Sequence, residues 1–282
     1  MRTAIYLTLV IFISYSEILA QRLSKSSVEK LSKSVFEETT LTGLKFRSIG
    51  PAQTSGRVSD FAINPNNFKE YYVAAASGGV WKTVNAGTTY IPVFDEAGSY
   101  SIGCITMDPN NANVIWVGTG ENNNQRSVPY GDGVYKSIDG GETWKNMGLK
   151  SSEHIGKILV DPNNSNIIYV AAIGPLWSSG GERGVYKSVN GGETWRLMLG
   201  IDADTGINDL IMDPRDSQVI YAAAYQRRRH VFTYLGGGPS SGLHKSVDGG
   251  TTWVDINKGL PEVDMGRIGM AMAPSDPEVI YA

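Results

Sequence analysis

From Leu44 onward the apolar residues fall in short bursts divided by Gly, Asn, Asp, Ser and Pro, and the bursts recur at long intervals. One phrase is Asn64-Pro65 followed by Tyr71-Tyr72-Val73. It returns as Asp108-Pro109 with Ile115-Trp116-Val117, Asp161-Pro162 with Ile168-Tyr169-Val170, Asp213-Pro214 with Ile220-Tyr221-Ala222, and Pro274 with Ile280-Tyr281-Ala282. The prolines are 44, 53, 52 and 60 residues apart, the period of an array of supersecondary units. The third unit resolves into four strands, HIGKILV, IIYVAA, GVYKSV and TWRLML, with DPNNSN turning the first pair and NGG the second. In the DPNN turns Pro presets φ and Asp or Asn caps the turn with its side chain. Four strands per unit with only short edges is the radial plan of a propeller. The expected fold class is therefore all-β: a β-propeller of four-stranded antiparallel blades, incomplete, with four blades plus part of a fifth. Residues 21–43 are polar with a weak helical pattern (SVEKLSKSVFEE) and read as a linker or loosely held helix. The propeller is expected over 44–282, with LKFRSIG a strand that pairs with the far end of the ring. The closing VIYA is the second strand of a fifth unit, and a half-built blade leaves an open edge. Further blades are expected C-terminal to it.

A second phrase is interleaved with the first: TVNAGTTY (83–90), SIDGGETW (137–144), SVNGGETW (188–195) and SVDGGTTW (246–253). Its aromatic ends, Tyr90, Trp144, Trp195 and Trp253, are 54, 51 and 58 residues apart, in phase with the first repeat. The chemistry is local and structural. Asn85, Asp139, Asn190 or Asp248 accepts hydrogen bonds from turn amides, Gly permits positive φ, and the aromatic packs back into its blade. The first copy departs most, with Thr83, Asn85 and Tyr90, and is expected to be the least tightly fixed. The phrase resembles the Asp-box, or bacterial neuraminidase repeat, S-x-D-x-G-x-T-W, which in that family lies between the third and fourth strands. Ser137, Asp139, Gly141, Thr143 and Trp144 match it in full, as do Ser246, Asp248, Gly250, Thr252 and Trp253. Beyond the boxes, IGPAQTSGRVSDFAINP, SGGVWKT, GTGENNNQRSVPYGDGVYKS and GPLWSSGGERGVYKS are similar to the amino-terminal part of sortilin-like propeller proteins. Those are exported bacterial proteins often labelled glycosyl hydrolases. The resemblance implies a ligand-binding propeller on one side and, through related two-propeller proteins, xyloglucan hydrolases on the other.

Composition changes this picture in three places. The net charge of −3 comes without an extended basic stripe, Arg227, Arg228 and Arg229 being only a short run, so no nucleic-acid partner is expected. Arg2, the apolar stretch Ala4 to Ser14 and small Ala20 before Gln21 read as a signal peptide over 1–20. The mature chain is expected to lack a transmembrane segment and to be secreted, periplasmic or at the cell surface. Cys104, the one cysteine, sits in apolar SIGCITM and reads as a buried, inert thiol.

Loop length points to a face. The connections between second and third strands swell to GTGENNNQRSVPYGDG (118–133), IGPLWSSGGERG (173–184) and YQRRRHVFTYLGGGPSSG (225–242), while the hairpins at the boxes stay short. In a propeller these connections share one face with the loops joining successive blades, and binding loops on a rigid scaffold belong there. The candidate ligand-binding residues are Glu121, Arg126, Tyr130, Trp177, Glu182, Arg183, Tyr225 and Arg227, with His154 from a blade-joining loop. Glu153, Asp202, Asp204 and Arg267 accompany them. Rings offer stacking faces and Arg a fork of donors, which suits a glycan, a peptide or a protein surface.

The leading expectation is a propeller that binds a protein, peptide or glycan through this face without catalysis by the segment itself. One alternative is a glycoside hydrolase, xyloglucanase-like or sialidase-like, whose site is completed by further blades. Another is an architectural module of a large surface protein. Glycosidase chemistry needs two carboxyl groups about 5–10 Å apart across the scissile bond. The resemblance to xyloglucan hydrolases implies a catalytic Asp before a Gly-Gly-aromatic stretch near the start of the first blade. Here that stretch is Ala75-Ala76-Ser77-Gly78-Gly79-Val80-Trp81, which holds no acid. Phe46-Arg47-Ser48-Ile49-Gly50-Pro51 resembles the sialidase Phe-Arg-x-Pro start with two residues added. No cofactor and no metal site are expected. Asp202-Ala203-Asp204-Thr205-Gly206 lacks the downstream Glu of a calcium loop, and His154, His230 and His244 have no zinc spacing.

Overall fold

The computed structural model describes residues 56–123 and 128–282. The expected signal peptide, the 21–43 linker, the LKFRSIG strand and Arg126 lie outside the described residues.

Each repeat folds as one antiparallel sheet. The first blade is β1 (Val58–Ile63), β2 (Tyr71–Ala75), β3 (Gly79–Thr83) and β4 (Ile91–Pro92). The second is β5 (Ile102–Asp108), β6 (Asn111–Thr119), β7 (Val134–Ser137) and β8 (Lys145–Asn146). The third is β9 (Ile155–Asp161), β10 (Asn164–Ala172), β11 (Gly184–Ser188) and β12 (Arg196–Leu199). The fourth is β13 (Thr205–Asp213), β14 (Asp216–Arg229), β16 (Gly242–Ser246) and β17 (Val254–Asp255), with β15 (Tyr234–Gly236) paired to the far end of β14. A two-stranded sheet, β18 (Ala271–Ala273) with β19 (Asp276–Tyr281), begins a fifth.

The turns between first and second strands close as their chemistry predicts. Asn64, Asp108, Asp161 and Asp213 each accept, through Oδ1, the amide two residues on, at 3.0, 2.8, 2.8 and 2.9 Å. The first strands β1, β5, β9 and β13 adjoin in succession and form the inner wall. The apolar core is not inside any blade but between blades, because each twisted sheet buries both faces against its neighbours. Phe94, Tyr72 and Val80 of the first blade pack on Ile102, Ile105, Val117 and Tyr135 of the second. Trp116 and Val134 of the second pack on Ile155, Ile158 and Val170 of the third, and Tyr169 and Val185 of the third on Ile207, Leu210 and Ala222 of the fourth.

The inner strands are bulged at one repeat position, where the ladder skips Ser59, Gly103, Gly156 or Asn208. Two of these are glycines for a packing reason: a side chain at Gly103 would meet the Ile155 carbonyl, and one at Gly156 the Asn208 carbonyl. Asp60 Oδ2 accepts from Ile105 N at 3.2 Å and Asp209 Oδ2 from Met270 N at 2.8 Å, so the same inner position ties one blade to the next twice.

The box hairpins lie between third and fourth strands and share one hydrogen-bond pattern. Thr83, Ser137, Ser188 and Ser246 receive the Gly87, Gly141, Gly192 and Gly250 amides at 3.0, 2.8, 2.9 and 2.8 Å. Asn85, Asp139, Asn190 and Asp248 receive the Thr89, Thr143, Thr194 and Thr252 amides at 2.9, 2.9, 3.0 and 2.8 Å. The first copy is thus bonded like the others, against the expectation of looseness, because a threonine hydroxyl and an asparagine carbonyl accept in the same geometry. A second expectation is also corrected. Trp144 and Trp195 reach across to the preceding blade, donating Nε1 to Val93 O at 2.6 Å and Met147 O at 2.7 Å. Only Trp253 bonds within its own box, to Gly250 O at 2.9 Å. The outer hairpin overhangs its neighbour because the sheet twists towards its outer edge. The contact is answered in the other direction by Lys82, Lys136 and Lys187. Their Nζ atoms lie over the Tyr72, Trp116 and Tyr169 rings at 5.3, 4.8 and 5.0 Å. Each donates to the box carbonyl of the next blade, Gly140, Gly191 or Gly249, at 3.1, 3.1 and 2.8 Å.

Cys104 is free, buried and far from reactive, since desolvation pushes its thiol well above the ordinary range. Among the described residues no helix is long and apolar enough to cross a membrane.

Candidate functional site

The second-to-third connections and the blade-joining loops are tied together at one end of the inner strands by backbone bonds, two within a blade and two between blades. Gly120 N donates to Ser101 O, Gly131 N to Glu153 O, Ile173 N to His154 O and Gly180 N to Ala203 O, at 2.8, 2.7, 2.9 and 2.7 Å. The elaborated face predicted from loop length is therefore one continuous surface around the mouth of the inner wall.

Glu121, at the start of the second blade's connection, is completely buried. Arg57 Nη2 donates to its Oε1, and its Oε2 has no hydrogen-bond partner. The Glu121 carbonyl meets His154 Nδ1 at 2.9 Å. Burial, followed by the nearby charges of Arg227 and Arg183, holds the His154 imidazole well below its ordinary value, so the ring is neutral. Facing a carbonyl, Nδ1 must then be the donor. Glu153, the residue before His154, has φ 61° in the left-handed region and is half-buried. Burial raises its proton affinity while Arg183 and Arg227 oppose the rise.

In the third blade Arg183 is buried and committed to its own loop. Nε donates to Gly180 O at 2.9 Å, Nη1 to Ile173 O at 2.8 Å, and Nη2 to Ser178 O at 2.9 Å and to Pro175 O. It folds the 173–184 loop rather than presenting its fork to solvent. Glu182 Oε2 accepts from both N and Oγ of Ser151 at 2.9 Å, a link between loops. Trp177, by contrast, is 57% exposed.

The fourth connection is not the loop that residues 225–242 predict. β14 runs beyond its blade and pairs with β15, Arg227 opposite Gly236 and Arg229 opposite Tyr234, making a hairpin arm. Tyr234-Leu235-Gly236 folds back onto the arginine run as its partner strand, a pairing within one connection that a reading by loop length passes over. The tip is apolar, with Phe232 97% exposed. At the arm's base the Arg229 guanidinium lies over the Tyr234 ring at 4.4 Å and the Trp177 ring at 5.9 Å, so an aromatic–arginine stack joins the arm to the neighbouring blade's loop. Tyr225 is buried, its hydroxyl 2.9 Å from that of Tyr234. Arg227 is also buried, at 1% exposure. On the second blade's side exposed Tyr130 and Tyr100 flank a cleft of about 250 Å³ with Asp132 and Pro129.

The structure thus brings Glu121, His154, Arg183, Tyr225, Arg227 and Trp177 onto one face, but only Trp177 and Tyr130 offer a large free surface. Sequence reasoning missed Arg57. Aligning the repeats finds it, because it precedes its inner strand as His154 does. Among the described residues no group of three or more His, Cys, Asp or Glu is placed to hold a metal ion.

No protein-family model matches the chain. It is similar to a xyloglucanase from Paenibacillus sp, 24% identical over 248 residues that make up 78% of this chain and 22% of that enzyme. It is also similar to a xyloglucanase from Hypocrea jecorina, 28% identical over 176 residues, 57% of this chain and 20% of that enzyme. The chain spans about a fifth of the length of these curated relatives. Among solved structures it superposes on an ancestral GH74 enzyme with a TM-score of 0.61 at 22% identity, covering 80% of this chain and 28% of that one. At that identity the likeness establishes the fold, a β-propeller.

Proposed function

We propose that this chain is the glycan-binding portion of a glycoside-hydrolase-type propeller, engaging a polysaccharide across its loop-rich face. The observation that carries this reading is the Trp177–Arg229–Tyr234 stack between two blades, together with the exposed Tyr100–Tyr130 cleft at the second blade's connection. Flat rings at intervals along one face suit sugar rings, whose C–H faces stack on aromatics while their hydroxyls take bonds from Arg and carboxylate edges. Two relatives named as xyloglucanases support a polysaccharide over a peptide or protein ligand.

Hydrolysis is proposed as the activity that accompanies this binding. On the face described, Glu121 is tied to Arg57, Glu182 to Ser151, and Asp204 to Ser179 Oγ at 2.8 Å. Glu153, with raised proton affinity beside two guanidiniums, is the carboxyl best suited to hold or deliver a proton. Its counterpart across a scissile bond lies outside the carboxyls named here. A second reading, recognition without hydrolysis, is favoured by one feature: the turn Ala75 to Trp81 carries no acid, and Trp81 Nε1 closes it on Gly78 O at 2.8 Å. Calorimetry with xyloglucan oligosaccharides, run alongside reducing-sugar release, separates the two. Binding with release supports the hydrolase, binding alone the recognition module, and no binding of any neutral or acidic glycan removes the proposal.

A further inference from the structure

Arg227 is a buried cation that the fold does not explain. Its side chain is 1% exposed, yet Nε and Nη2 have no hydrogen-bond partner. Its repeat mates in the second and third blades are Asn122 and Pro175, so the blade pattern does not call for an arginine here. Three of the polar groups around it are engaged with other partners. Asp204 holds Arg228 at 3.6 Å and Ser179, and the Tyr225 and Tyr234 hydroxyls bond each other. Glu153 is the carboxylate it feels, and Arg267 adds a second positive charge. A guanidinium closed off in this way is destabilising unless an acceptor faces it.

We infer that Arg227 is the receptor for a carboxylate carried by the glycan, making the ligand of this face an acidic polysaccharide with uronate residues. The inference rests on the glycan reading above and narrows it. A carboxylate fits the unused Nε and Nη2 edge as a bidentate acceptor, the geometry for which arginine is best suited. It is small enough to be enclosed beside the β14–β15 arm. The sugar ring that bears it then falls beside Tyr234 and the Arg229–Trp177 stack, which is why a uronate is preferred to an acidic peptide.

The test is calorimetry on the whole chain with three probes: trigalacturonate, its methyl ester, and a neutral xyloglucan oligosaccharide. The acid should bind about tenfold to a hundredfold more tightly than its ester, and more weakly as salt rises. Arg227→Met should erase that preference while keeping ester binding. Its unliganded thermal midpoint should hold or rise, since replacing an unpaired buried charge by an apolar side chain relieves a cost. A merely structural arginine would instead lower the midpoint. Equal binding of acid and ester, or a destabilised Arg227→Met, overturns the inference, and the glycan reading survives if the neutral sugar still binds. Failure of every saccharide, with poly-glutamate captured through Arg227, overturns both.

Discussion

At the residue scale, the same amino-acid types serve opposite purposes according to which partners reach them. Arg183 and Arg227 lie in adjacent connections, but the first gives its donors to loop carbonyls and the second has Nε and Nη2 unpartnered. Arg183→Met should therefore lower the thermal midpoint and weaken glycan capture together, whereas Trp177→Ala should weaken capture by about tenfold with the midpoint unchanged. Paired melting curves and titrations check this. The box acids make a second contrast. Hydrogen bonds from Ser246, Thr252 and the turn amides lower Asp248 to about 2, those at Asp139 lower it further still, and Asn85 and Asn190 do the same work without a charge. A carboxyl whose folded value lies below its unfolded one adds stability that is complete above about pH 4 and lost as pH falls through the folded value. Acid should thus loosen the second and fourth boxes before the first and third. The double variant Asp139→Asn, Asp248→Asn should show a flatter fall in stability between about pH 4 and pH 2. An unchanged acid profile would show that other carboxylates control it.

At the scale of elements, the box, the Asx-capped turn and the four-strand unit were legible in the sequence because each is a local pattern of residue types repeated in phase. What joins the units was not. The reach of Trp144 to Val93, the staple from Lys82 to Gly140 and the bulge at Gly103 are contacts between blades, separated in sequence by tens of residues. The arm escaped for a different reason: 225–242 read as one long connection, with Arg227, Arg228 and Arg229 a short basic run in it, while in the fold β15 pairs with that run as a strand. The candidate site shows the same division. Its loops and its face could be read from length, but the burial of Glu121, Tyr225 and Arg227 depends on neighbouring blades. Replacing residues 228–235 by a short glycine turn should leave the blades intact by circular dichroism and reduce oligosaccharide affinity. Retained affinity would take the arm out of the site.

For the whole molecule, the repeat makes the first blade's outer face informative. Val58, Phe61, Val73, Trp81 and Tyr90 line an open apolar cleft of about 550 Å³. Their repeat mates in the second blade, Ile102, Ile105, Val117, Tyr135 and Trp144, pack against the first blade. An open apolar face of this size favours a covering surface, and the chain should self-associate through it. Phe61→Lys with Trp81→Lys should shift it towards monomer in sedimentation, and no shift would place the association elsewhere. Under the proposed function the loop-rich face is the working surface and the boxes are joinery. Hydrogen–deuterium exchange with and without a bound oligosaccharide tests that division most directly. The account predicts new protection in 128–131, 151–154, 173–184 and 225–236, with the box turns unchanged. Protection confined to the box hairpins or to the first blade's apolar cleft would contradict it.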